Sequence, residues 1–294
     1  MRKNEDRMGA EFNQDPPFQQ VANSPTATEQ QSTPQLSFVV PTQMVDLPSK
    51  GLVYPEGHPL RGLESVEIRH MTAKEEDTLT SRSLLKKGTA IDKMLNDIIM
   101  DKNIKVENMI IGDKNALVVA ARITGYGPEY TTKVACPSCN KNQEYEFDLL
   151  QQNVNGPLSE EEVKEVGLRL TANNTYIMTL WGGKAEVELK LLTGRDEAVL
   201  FEKMQKNQKA TGNADTTLTD QLRLMIRSVN GSSDVGVINQ FVNSLPVADS
   251  RRLRMIYKKI TPSVELINTF TCVACDYETD MEVPFSQDFF WPKS

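Results

Sequence analysis

Two Cys-x-x-Cys motifs constrain this chain more than any other feature, because they contain all four of its cysteines. The first motif is Cys136–Cys139 and the second is Cys272–Cys275, with residues 140–271 between them. A Cys-x-x-Cys turn between strands directs two thiolates to one point, and zinc takes four such ligands in a tetrahedron. We therefore predict that Cys136, Cys139, Cys272 and Cys275 bind Zn²⁺ as a structural ion, one per chain.

The sequence supports other roles for the cysteines less well. The motifs are much farther apart than those of an ordinary zinc ribbon, so the sequence leaves open whether the site lies within one chain or between two. Free buried thiols and a redox dithiol are the alternatives, although neither motif opens a helix as in thioredoxin-type sites. Four thiolates leave no open coordination position, which argues against a catalytic zinc.

Charge and hydropathy limit the class of protein. The formal net charge is −7 and the isoelectric point is about 5.1, which argues against a dedicated nucleic-acid binder. No apolar run reaches the roughly 18–20 residues that span a bilayer, so we predict no membrane span. The N-terminal sequence has no apolar region typical of a secretory signal, and a disulfide framework is therefore not expected.

The chain divides into an arm and two similar halves. Residues 1–37 are rich in Gln, Asn, Pro, Ser and Thr, which predicts a flexible N-terminal arm. Residues 38–150 are predicted to form a first repeat, with the knuckle 136–139. Residues 151–294 are predicted to form a second repeat, with the knuckle 272–275.

Two aligned blocks support the repeat. The sequence VELKLLTGRDE (187–197) lies over VEIRHMTAKEE (66–76) at a constant offset, and Thr-x-x-Asp replaces Thr-x-x-Glu as the helix-capping signal. A later block aligns Asp249 with Asp113 and the second cysteine motif with the first. Each half then reads strand, helices, strand, zinc knuckle, strand. We predict an α+β fold of two pseudo-repeats that share one four-cysteine, zinc-ribbon-like site.

Helix boundaries follow from capping residues and periodicity in the first half. Thr72 and Glu75 form a capping box for a helix that is predicted to end near Gly88. A second helix is predicted over residues 90–101. A third is predicted to begin with Asp113 as its N-cap and to end before Gly125.

The sequence offers no convincing active site. His58 lies in a predicted turn and His70 at the end of a predicted strand, where packing explains both. Gly182–Gly183–Lys184 lacks the rest of a phosphate-binding loop and is typical of a hairpin turn. The acidic segment 159–165 is predicted to be a solvated first helical turn capped by Ser159.

Two further segments have a packing and a partner-binding interpretation. In the basic run 250–259, Leu253, Ile256 and Tyr257 are predicted to form a buried helical stripe, with Arg and Lys facing water or a partner. The aromatic residues Phe289, Phe290 and Trp291 either pack on the core or anchor a partner.

Four blocks of the sequence resemble one known family. They are VDLPSKGLVYPEGHPL (45–60), VEIRHMTAKEEDTLTSRSLLKKGTAIDKML (66–95), IIGDKNALVVAARITGYGPEYTTKVACPSC (110–139) and the second knuckle, CVAC (272–275). Together they resemble the baseplate hub subunit of T-even-like contractile-tailed bacteriophages, over roughly residues 40–285. The N-terminal arm is outside this resemblance.

The resemblance implies a non-enzymatic structural protein of the virion. We expect it in the tail baseplate, after assembly in the host cytoplasm into a symmetric multi-protein complex. The expected partners are other hub proteins, tail-tube or tape-measure proteins and wedge proteins. The alternative is a zinc-ribbon module that binds nucleic acid or has a regulatory role, and salt-dependent binding to DNA or RNA would distinguish it.

Overall fold

The structure is a computed structural model that describes residues 39–209, 216–284 and 287–290. Residues from Val40 onward belong to a single unit of contacts. The predicted N-terminal arm, residues 1–37, lies outside the described residues, and so does Trp291.

Strands and helices alternate in groups along the described chain. The strands are β1 (Thr42–Asp46), β2 (Ser65–Arg69), β3 (Glu129–Ala135), β4 (Asn142–Asp148), β5 (Gln152–Asn155), β6 (Leu168–Leu170), β7 (Tyr176–Leu180), β8 (Ala185–Leu189), β9 (Ile226–Val229), β10 (Ser263–Thr271) and β11 (Glu278–Glu282). The helices are α1 (Ala73–Thr80), α2 (Arg82–Lys87), α3 (Ala90–Ile98), α4 (Ile111–Tyr126), α5 (Glu160–Glu165), α6 (Gly194–Lys209), α7 (Thr217–Met225), α8 (Val235–Ser244) and α9 (Val247–Ile260). The predicted α+β class is confirmed.

The described strands form four antiparallel sheets. β1 pairs with β2, and β3 pairs with β4. A third sheet has the order β11-β10-β5, and a fourth has the order β6-β7-β8-β9. The hairpin predicted at Gly182–Gly183–Lys184 connects β7 to β8, and both glycines have a positive φ. The cysteine motifs fall in the β3–β4 and β10–β11 turns.

The strand and helix faces that the apolar pattern of the sequence predicts to be buried are buried in the structure. In β2, Val66 and Ile68 are buried while Glu67 between them is exposed. In α9, the buried residues are Leu253, Ile256, Tyr257 and Ile260, and the basic residues of that helix lie outside this stripe. Burial of such apolar surface is the main favourable contribution to folding.

A matching corner connects a strand to a helix in each half. In the first, Glu75 accepts hydrogen bonds from the Thr72 backbone at 2.9 Å and from its hydroxyl at 2.7 Å, and Arg69 pairs with the same carboxylate at 2.7 Å. The predicted capping box is therefore present.

Before α6, residues of similar chemistry make the same set of contacts. Asp196 accepts from the Thr193 backbone and hydroxyl, both at 3.0 Å, and pairs with Lys190 at 2.7 Å. A basic residue, a threonine and an acidic residue thus occupy equivalent positions before and within the first turn of α1 and α6.

The helix predicted to run to Gly88 is interrupted. α1 ends at Thr80, Ser81 is extended, and α2 begins at Arg82. Side-chain hydroxyls of Thr78 and Thr80 bond to carbonyls of the preceding turn, a pattern that bends and weakens helices. Gly88, with φ 70°, ends α2 as expected.

Both boundaries that the sequence predicts for the third helix are wrong. α4 begins at Ile111, so Asp113 lies inside its first turn, and Gly125 lies inside the helix, which is followed by Gly127. The backbone of Ile111 donates to the Leu192 carbonyl at 3.0 Å, and this tertiary bond starts the helix three residues early.

Asp113 therefore has a tertiary role instead of a capping role. Its carboxylate is buried and accepts hydrogen bonds from the Ser49 hydroxyl at 2.6 Å and the Tyr54 hydroxyl at 2.7 Å. Burial raises the pKa of Asp113, while the bonds from Ser49 and Tyr54 lower it. The turn-rich segment after β1 is thereby attached to α4.

α4 also connects helices that are far apart in the sequence. The ammonium group of Lys114 is buried and lies 2.5 Å from both the Asp92 carboxylate of α3 and the Glu197 carboxylate of α6. At Gly112 a side chain would not fit, because a Cβ atom there would lie 1.7 Å from the Pro262 carbonyl oxygen.

The C-terminal aromatic residues that the structure describes pack on the core. Phe289 and Phe290 are buried, and the Phe289 carbonyl accepts a hydrogen bond from the buried Arg122 guanidinium at 2.6 Å. The packing interpretation is therefore confirmed for these two residues.

Replacing Glu75 by Gln is expected to destabilise the protein by about 1.5–3 kcal/mol at pH 7, since it removes a buried, charge-assisted bond. Hydrogen bonding to Arg69 lowers the pKa of Glu75 from 4.5 to about 2. A lowered pKa stabilises the fold above pH 4.5, and this contribution disappears as the pH falls from 4.5 towards 2. Urea unfolding at pH 7 and pH 3 should show a smaller difference from wild type at pH 3.

The matched control is Glu76→Gln, because Glu76 is the exposed neighbour. It should change the free energy of unfolding by less than about 0.5 kcal/mol. An equal loss for Glu75→Gln at both pH values would contradict the assigned charge interaction.

Candidate metal centre

The first cysteine motif forms a tight turn at the end of the β3–β4 hairpin. The Cys136 backbone donates to the Lys141 carbonyl at 2.9 Å, and the Asn140 backbone donates to the Cys136 carbonyl at 2.9 Å. Asn140 has φ 60°, a left-handed conformation that Asn adopts more readily than most residues. The Ser138 N–H points at the Cys136 sulfur, 3.4 Å away.

The second motif repeats this turn between β10 and β11. The Cys272 backbone donates to the Tyr277 carbonyl at 2.9 Å, and the Asp276 backbone donates to the Cys272 carbonyl at 3.0 Å. Asp276 has φ 53°, and the Ala274 N–H lies 3.4 Å from the Cys272 sulfur. Both motifs therefore present their sulfurs from the same local geometry.

Polar side chains hold the two hairpins side by side. The Tyr145 hydroxyl of β4 donates to the Thr269 carbonyl of β10 at 2.7 Å. The Gln143 amide donates to the Thr271 carbonyl at 3.1 Å and accepts from the Val273 backbone at 3.0 Å. These bonds lie directly beside the cysteine turns.

A reciprocal amide bridge and an aromatic cluster extend the contact away from the cysteines. The side chain of Asn268 accepts from the Asp148 backbone at 2.8 Å and donates to its carbonyl at 3.3 Å. The Tyr145 ring lies 5.0 Å from that of Phe147 and 5.1 Å from that of Phe270. The β4–β10 contact is therefore both hydrogen-bonded and apolar.

The structure brings the four predicted ligands to one place. The Cys136 and Cys275 sulfurs are 3.8 Å apart, the Cys139 and Cys272 sulfurs are 3.7 Å apart, and all four lie within 4.8 Å of one another. A tetrahedron with metal–sulfur bonds of about 2.3 Å requires sulfur separations of about 3.8 Å. The four sulfurs therefore fit a tetrahedral ion and are too far apart for disulfides.

The cluster is closed on its inner side and faces solvent on its outer side. Cys136 and Cys272 are fully buried, whereas Cys139 and Cys275 are exposed. An ion here would be held by four thiolates and would keep no open position for a substrate. The donor set suits zinc or another thiophilic ion in a structural role.

The thiols differ in their tendency to ionise. Backbone N–H groups of Cys139 and Ser138 lower the pKa of Cys136 to about 7. For Cys275 the Tyr277 backbone acts in the same direction, but desolvation and the other three thiols raise the pKa to about 12. A divalent cation would favour the thiolate forms by removing the repulsion between them.

The remaining candidate residues lie apart from the cysteines. His58 stacks on Tyr54 with ring centroids 4.5 Å apart, and its Nδ1 accepts from the Leu60 backbone at 3.1 Å. The backbone of His70 donates to the Pro41 carbonyl at 2.8 Å. Ser159 accepts from the Glu162 backbone and completes the predicted capping box.

Sequence reasoning missed the side chains that bring the hairpins together. Gln143, Tyr145 and Asn268 were not among the predicted site residues. Asn268 carried one signal, because it is a buried amide between Leu266 and Phe270 on the inward side of an alternating strand. A polar residue at such a position normally has a specific hydrogen-bond partner.

The described part of the chain is thus a mixed α+β protein with one four-sulfur candidate metal centre. A family model described as T4 bacteriophage base plate protein matches residues 41–291. The chain belongs to this family, and the resemblance to T-even-like phage baseplate proteins is confirmed. Searches of curated proteins and of solved structures found no match.

Family membership fixes the general setting of the protein. A phage baseplate protein is located in the tail of the virion and assembles with other tail proteins. Of the helices that the structure describes, none has both the length and the apolar character needed to cross a membrane.

Cys136→Ser and Cys272→Ser are each expected to lower the free energy of unfolding by similar amounts, about 3–5 kcal/mol, because both are predicted to hold the same ion. The estimate follows the chain-entropy argument for closing a long loop. Denaturant unfolding and metal content of the zinc-replete proteins measure both effects.

Ser138→Ala is the matched control, since it leaves the N–H that faces the Cys136 sulfur in place. It should bind metal and unfold like the wild type. If Cys272→Ser keeps the wild-type metal content and stability, the two hairpins do not share an ion.

Proposed function

We propose that this chain is a structural component of the baseplate hub, either a hub subunit or a hub-assembly protein. It acts through protein–protein contacts and carries one structural Zn²⁺ bound by Cys136, Cys139, Cys272 and Cys275. The observation that carries the proposal is the baseplate family match over residues 41–291, combined with four sulfurs within 4.8 Å.

Zinc has a mechanical role in this proposal. The ion joins the β3–β4 turn to the β10–β11 turn and so closes the long chain segment 140–271 into a loop. Cross-linking a loop of this length lowers the entropy of the unfolded chain, which raises the free energy of unfolding by about 4–5 kcal/mol. The ion would thereby hold two distant parts of the chain as one body, which suits a protein that transmits load in a contractile tail.

Two pseudo-repeats are part of the proposal. Residues 38–150 and 151–294 are the proposed halves, each ending with a cysteine hairpin. The corners Arg69–Thr72–Glu75 and Lys190–Thr193–Asp196 support this division, because equivalent positions make equivalent bonds. The left-handed residues Asn140 and Asp276 after each motif support it independently.

A non-enzymatic role agrees with the chemistry of the described residues. The four thiolates would complete the coordination of the ion. Neither His58 nor His70 belongs to the cluster of possible metal ligands found among the described residues. The resemblance to baseplate hub subunits supplies the proposed partners, which are other hub, tail-tube or tape-measure and wedge proteins, joined in the host cytoplasm into a symmetric complex.

Phage that lack this chain are expected to make defective tails. Tails should be restored by supplying the wild-type protein or Ser138→Ala, and restored poorly by Cys272→Ser, because the loop that zinc closes would open. Electron microscopy of the particles measures tail completion, and antibody labelling of isolated baseplates measures whether the chain lies at the centre.

Complete, infectious tails in the absence of the chain would contradict the structural role. Labelling confined to the outer parts of the baseplate would contradict the hub position while leaving the baseplate role intact.

A further inference from the structure

A groove lies between two strands that belong to different sheets. Its walls are β1 and the segment after it on one side and β5 with Gly156 on the other, and its floor is α4. Its volume is about 760 Å³, within the range of about 300–1,000 Å³ that is typical of binding pockets. We refer to this feature, between β1, α4 and β5, as the edge groove.

The β1 wall presents backbone groups that pair with no other described strand. β1 pairs with β2 along one edge, and within the described residues no strand pairs with its other edge. The Pro41 carbonyl accepts from His70 and the Leu47 N–H donates to Glu64, the two residues that flank β2. By alternation along the antiparallel ladder, the backbone groups of Met44 point away from β2. Met44 itself lines the edge groove.

The β5 wall also presents backbone groups that point away from its own sheet. β5 is an edge strand of the β11-β10-β5 sheet. The Leu266 carbonyl of β10 accepts from Val283, on the side away from β5, and Val264 two residues earlier has the same orientation. Val154 opposes Val264 in the register, so its N–H and C=O groups also point outward. Val154 lines the edge groove as well.

Within the described residues, β1 and β5 lack some of the features that usually prevent strand addition, although both strands are short and β1 carries Asp46. Edge strands are normally protected by Pro, by Lys or by a covering element. The sequences of β1 (TQMVD) and β5 (QNVN) contain neither residue, and Met44 and Val154 are 61% and 64% exposed. The floor has small side chains, Ala116 and Ala120, which leave room for an occupant.

The charge of the residues that line the edge groove indicates a second property of the segment that binds there. The carboxylates of Asp46 and Glu64 line the edge groove beside a single ammonium group, that of Lys50. Neither carboxylate forms an ion pair with another described residue. A basic side chain near Asp46 and Glu64 would complement this excess of negative charge.

We propose that the edge groove binds one extended peptide segment of another tail protein by strand addition. The backbone of the segment pairs with the free edge at Met44 or at Val154, and alternate apolar side chains contact the floor. A Lys or Arg of the segment lies near Asp46 and Glu64. The inference rests on the proposed function in one respect, namely that the chain works by contacts with other tail proteins.

Proline substitutions test the backbone pairing directly. Met44→Pro and Val154→Pro each remove an outward N–H that bonds to no strand among the described residues, and an edge position tolerates proline. Met44→Ala and Val154→Ala are the matched controls, because they shorten the same side chains and keep the N–H groups. Thermal unfolding verifies that all four variants fold.

The probe is a set of overlapping 12-residue peptides that tile the other tail proteins of the same phage, and the target is the full chain. At least one peptide should bind in fluorescence anisotropy. Met44→Pro or Val154→Pro should weaken this binding at least tenfold, and the alanine controls less than threefold. Hydrogen exchange should show new protection of the Met44 or Val154 amide in the complex.

Several outcomes would overturn the inference. One is that no peptide binds, and another is that a peptide binds equally to the proline and alanine variants. A third is that the Met44 and Val154 amides are already protected in the isolated chain. Protection independent of concentration would then assign the groove to this chain itself, and concentration-dependent protection would assign it to a second copy.

Failure of this inference is separable from failure of the proposed function. If Met44→Pro and Val154→Pro both restore normal tails to phage that lack the chain, the edge groove is not the docking site, while the baseplate role stands. If the chain is not needed for tails at all, the proposed function fails whatever the peptides do.

Discussion

The contact between β4 and β10 is the interaction on which the candidate metal centre depends. Tyr145 and Gln143 bond to the backbone of the neighbouring hairpin, and Asn268 bonds back, so each hairpin fixes the position of the other. Because these bonds lie between the hairpins, the two cysteine turns meet with sulfur separations close to those of a tetrahedral site. These bonds and the two cysteine turns together define the ligand geometry, and an ion would add a cross-link to this contact.

α4 makes a second connection, through the interior of the protein. The buried Asp113 holds the segment after β1, and the next residue, Lys114, bridges carboxylates on α3 and α6. Removing one partner from such a buried ionic group is costly, because the remaining charge is left without compensation. The chain is therefore joined at two places, at the cysteine hairpins and at the start of α4. A protein joined in this way is suited to hold a fixed shape among the neighbours that a baseplate provides.

Much of the fold could be predicted from local signals in the sequence. The capping boxes at Thr72 and Ser159 are local, and the buried stripe of α9 follows from helical periodicity. The start of α4 could not be predicted, because a backbone bond to Leu192 sets it and the capping pattern at Asp113 suggests a later start. For the candidate site, the sequence identified the four cysteines that the structure brings together, but not the side chains that hold the two hairpins side by side. In the sequence Tyr145 and Gln143 are typical strand residues. Their role depends on a tertiary contact with β10 that the local pattern does not predict.

The most direct test of the account is native mass spectrometry of the metal-replete chain, with thiol titration before and after chelation. The account predicts a monomer that carries one zinc ion, with four thiols that become reactive only after the metal is removed. A dimer with a single ion would place the site between chains, and a metal-free monomer with four reactive thiols would show that the cysteines hold no ion. Either result would contradict a zinc ion shared by the two hairpins of one chain.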